Sequence, residues 1–308
     1  MSISRYIVFS NAHRAQITLA SGAPSLARGP EAVNSRRARL AAAMAGKFDA
    51  ASAARLEKIY AAPEIAEQRA RTRAVLAARP GERGLDIGCG PGFLACELAG
   101  EVGPSGRIIA TDSSPDMLAA VRERVRREGV GGRVEPVLSD AAALAFRDAS
   151  FDFAVAVQVY LYVPDVEGAL AGAARVLRPA GRLVIVDTDW GSCVWLTSDP
   201  ARHQRVIEAR MGDFAQPHLP PRLPGLLRKA GLHVSHAEAI PVLNVRYDPD
   251  SFSVGIIGPT KESAIRQGLP QAEAEAWAAD LKARTGDGDY FFSVNRFLFV
   301  ARKPTPSP

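Results

Sequence analysis

Five short apolar runs, mostly separated by stretches of helical spacing, constrain this chain more than any other feature. They are residues 83–88, 107–111, 133–138, 151–159 and 182–187. A strand with one wet face alternates apolar and polar residues, whereas a strand covered on both faces has no need to. Residues 151–159 (FDFAVAVQV) and 182–187 (RLVIVD) are apolar almost throughout. Residues 64–78 read as an amphipathic helix stopped by Pro80-Gly81, and 92–101, 115–128 and 166–177 as helices between the strands. This alternation predicts a parallel sheet with helices on both faces.

The rhythm breaks after Asp187. Residues 190–222 hold Trp190, Trp195, His203, His218 and the prolines 217, 220, 221 and 224. A helix is expected at 223–231 and two further strands at 232–240 and 290–301. Between those strands, 248–286 reads as an insertion with a helix at 270–285. Segments 46–63, 190–222 and 241–289 are therefore expected to form a lid on one α/β domain spanning 46–303, with 304–308 as a tail.

The net charge of +5 would suit a nucleic-acid partner if it sat on the fold. It does not: residues 1–47 carry seven basic residues and one acid, which leaves 48–308 at −1. Residues 1–45 are rich in Ala, Ser, Arg and Gly; the expectation is a disordered extension, with Met44 as the functional start. A transit peptide has a similar acid-poor composition. Cys89, Cys96 and Cys193 are odd in number and lack metal-ligand spacing, so a reducing cytoplasm and no metal site are expected. No apolar run approaches the roughly 20 residues of a membrane-spanning helix. A small-molecule substrate is the expected partner, with no nucleic acid and no membrane insertion.

The stretch Leu85-Asp86-Ile87-Gly88-Cys89-Gly90-Pro91-Gly92 lies where the first strand turns into a helix. Glycines there let the backbone bend tightly and approach a ligand. Dinucleotide folds space them G-x-G-x-x-G and set a pyrophosphate on the helix N-terminus. Here the spacing is G-x-G-x-G, and position 93 is Phe. S-adenosylmethionine (SAM) has no phosphate; it carries a carboxylate, an ammonium and a sulfonium. Asp86 suits the ammonium and the backbone N–H groups suit the carboxylate. Asp112, at the end of the second strand, suits two ribose hydroxyls. Asp140, after the third strand, suits an adenine amino group, and Gln158 arrives at the same edge from the fourth.

The segments LDIGCGPG, TDSSPDML, LSDAAALAFRDASFDFAVAVQVYLYVPD and ARVLRPAGRLVIVD, in that order, resemble the successive motifs of the class I SAM-dependent methyltransferases, in the flavour of the ubiquinone/menaquinone-type small-molecule enzymes. The resemblance covers roughly 64–188. It implies a Rossmann-like α/β fold whose mostly parallel seven-stranded sheet ends in an antiparallel strand, with helical cap insertions. It also implies SAM as cofactor. Asp86, Gly88, Gly90 and Gly92 would then line the methionine part and Asp112 the ribose. Ser113 and Met117 would flank the adenine, Asp140 and Ala141 would hold its edge, and Gln158 would meet the methionine moiety. One departure is Pro179-Ala180-Gly181, where the family usually has two glycines; an alanine fits if its φ is negative.

The acceptor side is less legible. Trp190, Trp195 and Phe252 are candidates for an aromatic lining. Tyr160 and Tyr162 are expected to alternate along a strand end and point the same way. Asp189, His203 and Tyr160 are weak catalytic candidates, and His218 is another titratable group in the lid. These features suit methyl transfer to a small, partly hydrophobic organic acceptor. A nicotinamide-dependent oxidoreductase and a SAM-binding protein without transfer activity remain the alternatives.

Overall fold

The computed structural model describes residues 50–286 and 288–305. The expected N-terminal extension at 1–45 lies outside them. Two helices, α1 (Ala50–Ala61) and α2 (Pro63–Leu76), precede a single seven-stranded sheet. The sheet is built from β1 (Arg83–Ile87), β2 (Arg107–Asp112), β3 (Val134–Leu138), β4 (Phe151–Val157), β5 (Leu177–Trp195), β6 (His233–Asn244) and β7 (Phe292–Arg302). Its order is β3-β2-β1-β4-β5-β7-β6; β1 to β5 pair in parallel, and β7 runs antiparallel to both β5 and β6.

Helices α3 (Phe93–Val102), α4 (Pro115–Arg127) and α5 (Val166–Val176) fill the parallel crossovers. Their starts follow local chemistry. Pro115 sits at the first position of α4, where its missing N–H is not needed, and Ser114 caps that helix by accepting from the Met117 amide at 3.2 Å. Asp165 caps α5 by accepting from the Gly168 amide at 3.1 Å. Apolar side chains of β1, β4 and β5 bury on both faces: Leu85, Ala154 and Ile185 against α5, and Val155, Val184 and Val186 against α3. That two-sided burial explains the unbroken apolar runs.

Three expectations are corrected. The fifth strand does not stop at 187 but runs to Trp195, where Trp195 pairs with Phe292 of β7. Residues 190–222 contain a regular helix, α6 (Pro200–Met211), ahead of α7 (Leu223–Lys229). The 241–289 segment holds two helices, α8 (Phe252–Arg266) and α9 (Gln271–Ala283), not one. α8 carries Pro259 in its interior, a residue type that disfavours helix. These helices and the prolonged strands enclose a second apolar core around Trp195, Phe214, Phe252, Trp277 and Phe292. It sits beyond the carboxyl ends of the parallel strands, where α/β folds bind ligands.

Ala180 is the fourth correction. Its φ is +63, in the left-handed region that the expectation of a negative φ excluded.

Candidate functional site

The bend after β1 is built by glycines that cannot be replaced without strain. Gly88 has φ +65, and a Cβ there would lie 2.6 Å from a Val159 methyl carbon. Gly92, at φ +81, caps α3, and a Cβ there would meet Val121 at 3.0 Å. Gly92 lines none of the cavities described below and packs closely against Val121. The Gly90 amide donates to Asp112 Oδ2 at 2.9 Å, and the Ser114 amide donates to Asp112 Oδ1 at 2.9 Å. Asp112 thus ties the β1 bend to the end of β2 while keeping spare lone pairs on both oxygens.

A cavity of about 410 Å³ opens above the ends of β1 to β4. Its walls include Gly88, Gly90, Asp112, Ser113, Met117, Asp140, Ala141 and Gln158. A recess of about 40 Å³ adjoins it, lined in part by Asp86, Gly88, Cys89, Gln158 and Arg296. Asp86 is buried, and its Oδ2 has no hydrogen-bond partner. Burial first, then Asp112 and Glu97, push its carboxyl up to about 8. A buried carboxylate without a partner is costly, and a cationic ligand would satisfy it. The donor set therefore fits SAM: an orphaned acid for the ammonium, an acid at the end of β2 for the ribose, and a bend with no room for a Cβ at Gly88. Burial pushes the Cys89 thiol up as well, consistent with packing rather than reactivity.

Gln158 is the junction. Its φ of +59 is strained for a residue with a side chain. The strain is held by β5: its amide donates to the Val186 carbonyl at 2.7 Å, its Nε2 donates to the same oxygen at 3.2 Å, and Thr188 Oγ1 donates to its Oε1 at 2.6 Å.

A second cavity, of about 170 Å³, lies under the cap. It shares Leu56, Tyr60, Gln158 and Tyr162 with the first. Trp190 and Phe214 stack in its wall, with centroids 5.4 Å apart and planes 10° from parallel, and Phe252 and Ile256 add apolar surface. Helix α1 closes both cavities from one side. It is docked by Arg124, whose Nη2 donates to Glu57 at 2.9 Å and whose Nε donates to the Pro91 carbonyl at 2.9 Å.

Several candidates lie elsewhere. Tyr160 is fully buried in the sheet core and lines neither cavity. The strand ends at Val157, and residues 160–162 form a 3₁₀ turn with about three residues per turn, so Tyr160 and Tyr162 point to different sides. Only Tyr162 reaches the cavities. Trp195 is buried in the cap core and donates to the Tyr290 hydroxyl at 3.1 Å, away from either wall. His203 accepts from Trp277 Nε1 at 3.2 Å, a packing role. Asp189 faces His218 Nδ1 at 2.8 Å, also off the cavity walls. Among the described residues, no cluster of three or more His, Cys, Asp or Glu is placed to hold a metal, and no helix is long and apolar enough to cross a membrane.

Tyr60, Arg210, Phe214 and Arg296 were absent from the sequence reading. The Tyr162 spacing was visible but its turn was not. Arg210 and Arg296 are 86 positions apart and meet only through the path of α6 and β7.

A sheet of this order with one antiparallel strand, a glycine bend after β1 and an acid ending β2 is the class I SAM-dependent methyltransferase fold. Residues 85–185 match the family model described as a methyltransferase domain. The chain is 34% identical over 238 residues to an uncharacterized 37.1 kDa transposon protein of Streptomyces fradiae, covering 74% of this chain and 64% of that one. It is 39% identical over 109 residues to the ubiquinone/menaquinone biosynthesis C-methyltransferase of Ectopseudomonas mendocina, covering 35% of this chain and 43% of that one. The chain thus spans about two-fifths to just under two-thirds of the length of these relatives. Among solved structures, a putative methyltransferase from Bacillus halodurans superposes with a TM-score of 0.57 at 19% identity, over 78% of this chain and all of that one. Phosphoethanolamine N-methyltransferase 2 of Haemonchus contortus, in complex with S-adenosyl-L-methionine, gives 0.56 at 20% identity, over 84% of this chain and 58% of that one. The [4+2]-cyclase SpnF gives 0.52 at 22% identity, over 78% and 80%.

Proposed function

We propose that this chain moves the methyl group of SAM to a small, partly apolar organic acceptor. The observation that carries the reading is the joining of two cavities through Tyr60, Gln158 and Tyr162: one edged by Gly88 and Asp112 and continued by the recess that Asp86 lines, the other walled by stacked aromatics. In this reading Asp86 holds the ammonium and Asp112 the ribose hydroxyls. Ser113, Met117, Asp140 and Ala141 embrace the adenine, and Gln158 meets the methionine part.

When bound, SAM supplies an electrophilic methyl carbon, which takes the acceptor's lone pair in line as the carbon–sulfur electron pair leaves to sulfur. The protein's task is then to align the acceptor and exclude water. Trp190, Phe214 and Phe252 provide the dry wall, and Tyr60 and Tyr162 flank the passage. Burial raises both tyrosine pKa values above 10, so neither is a ready base at neutral pH. Among the described residues no histidine lines either cavity. The reading therefore favours acceptors whose nucleophile needs little help in losing a proton.

Calorimetry with SAM, S-adenosylhomocysteine and NADH tests the cofactor. Binding of NADH alone would end the proposal. Labelled SAM, incubated with the protein and a metabolite extract, tests transfer. SAM binding without any labelled product would favour a non-transferring role on the same fold.

A further inference from the structure

The acceptor cavity holds positive charge that the protein leaves uncompensated. Four arginines and two acids contribute to its wall. The two acids are already engaged: Glu262 by Arg55 at 3.0 Å, and Asp213 by Arg266 at 2.8 Å, with Ser263 Oγ at 2.6 Å and Gln267 Nε2 at 2.8 Å also donating to Asp213. That leaves Arg210 and Arg296. Neither has a carboxylate within ion-pair distance among the described residues, and the Nε of each is buried without a hydrogen-bond acceptor.

Both pack on rings, and Asp213 attracts Arg210 only from beyond ion-pair distance. The Arg210 guanidinium lies 4.3 Å from the Trp190 centroid and 5.6 Å from that of Phe214. The Arg296 guanidinium lies 4.7 Å from the Phe252 centroid, and its Nη1 donates to Gln68. Burial lowers Arg296 to about 10, which leaves it charged at neutral pH. Asp187 exerts an attractive field on Arg296, but burial pushes Asp187 strongly toward its neutral form. Stacking fixes the plane of a guanidinium and leaves its N–H edge open, a geometry suited to a planar anion. Arg296 is buried and Arg210 half-buried, and a desolvated cation without a counter-charge is destabilising unless a ligand supplies one.

We infer that the methyl acceptor is an organic acid, with an apolar or aromatic body against Trp190 and Phe214 and an anionic group, most simply a carboxylate, recognised by Arg210 within the field of Arg296. This rests on the methyltransferase reading above and names its substrate class. Arg210 is the specificity-determining contact. Arg296 borders the cofactor recess as well, so it places the positive field between acceptor and cofactor.

The test uses the full chain saturated with S-adenosylhomocysteine, and two isosteric probe pairs: benzoate against benzamide, and indole-3-acetate against indole-3-acetamide. Dissociation constants are read by ligand-observed NMR. The acids should bind about ten-fold or more tightly than their amides, as one charge-assisted contact demands. Arg210→Gln should erase that preference and Arg210→Lys should restore part of it, both with unchanged S-adenosylhomocysteine affinity. Equal binding of acid and amide, or a preference that survives Arg210→Gln, overturns the inference. Loss of S-adenosylhomocysteine binding by the unmodified chain would instead overturn the methyltransferase reading, so the two failures are distinct.

Discussion

The backbone N–H of Gly90 donates to the Asp112 carboxylate at 2.9 Å, so one acid both holds the glycine bend of β1 and ends β2. Asp112→Ala should therefore act twice, removing the ribose contact and loosening the bend. SAM binding should weaken by about 2–4 kcal/mol, roughly 30-fold or more in Kd. Calorimetry that returns wild-type affinity would remove Asp112 from the site.

With Asp86 on the ammonium, as proposed, cofactor binding should depend on pH. Its carboxyl is raised to about 8, chiefly by burial, so the free protein holds a proton there at pH 7. An ammonium beside it favours the carboxylate, and binding must expel the proton. Affinity for SAM should rise with pH up to about 8, at most about ten-fold per pH unit. Asp86→Asn should flatten that slope, and the comparison cancels the ligand's own titration. The sign for stability is opposite: a raised folded pKa means that the free fold loses stability as pH rises from 3.8 towards about 8. A slope unchanged by Asp86→Asn would sink the assignment.

Ala180 occupies a conformation that suits glycine. At φ +63 and exposed to solvent, it is strained with no packing to lose. Ala180→Gly should stabilise the protein by about 0.5–1 kcal/mol, visible as a higher midpoint in urea. A lower midpoint would show that neighbouring contacts outweigh the strain.

The two tryptophans should separate. Trp195→Phe removes the indole donor to Tyr290 and leaves a gap beside Trp277, so the melting temperature should fall while SAM affinity holds. Trp190→Ala should leave cofactor affinity intact and lower turnover, because Trp190 walls the cavity proposed for the acceptor and packs on Arg210. Weaker SAM binding in Trp195→Phe, with turnover untouched in Trp190→Ala, would reverse the assignment.

The sheet and the residues of the candidate cofactor edge were legible in the sequence because both are local. Asp86, Gly88 and Gly90 are neighbours in the chain, and Asp112, Asp140 and Gln158 each follow an apolar run that ends at the same edge. The acceptor side was hidden because it is assembled across long distances. Tyr60 comes from an alanine-rich helix, Arg210 from a segment read as irregular, and Arg296 from a strand identified only as the last of the sheet. Tyr160 misled because period-two reasoning was carried past the end of the strand into a 3₁₀ turn. Trp195 misled because an aromatic beside a predicted ligand edge is as often a core residue as a wall.

The length of β5 has one more consequence. The same strand delivers Val184 and Val186 to the sheet core and Trp190 and Trp195 to the cap core, with β7 alongside over both stretches. One irregularity between Asp189 and Val194 lies between floor and ceiling, with β7 paired to β5 on either side of it, so the two cores should melt together in a single calorimetric transition. The freedom needed to admit and release small molecules then falls to α1, which is pinned to the rest of the molecule by side chains such as Arg124 and Glu57 rather than by shared strands.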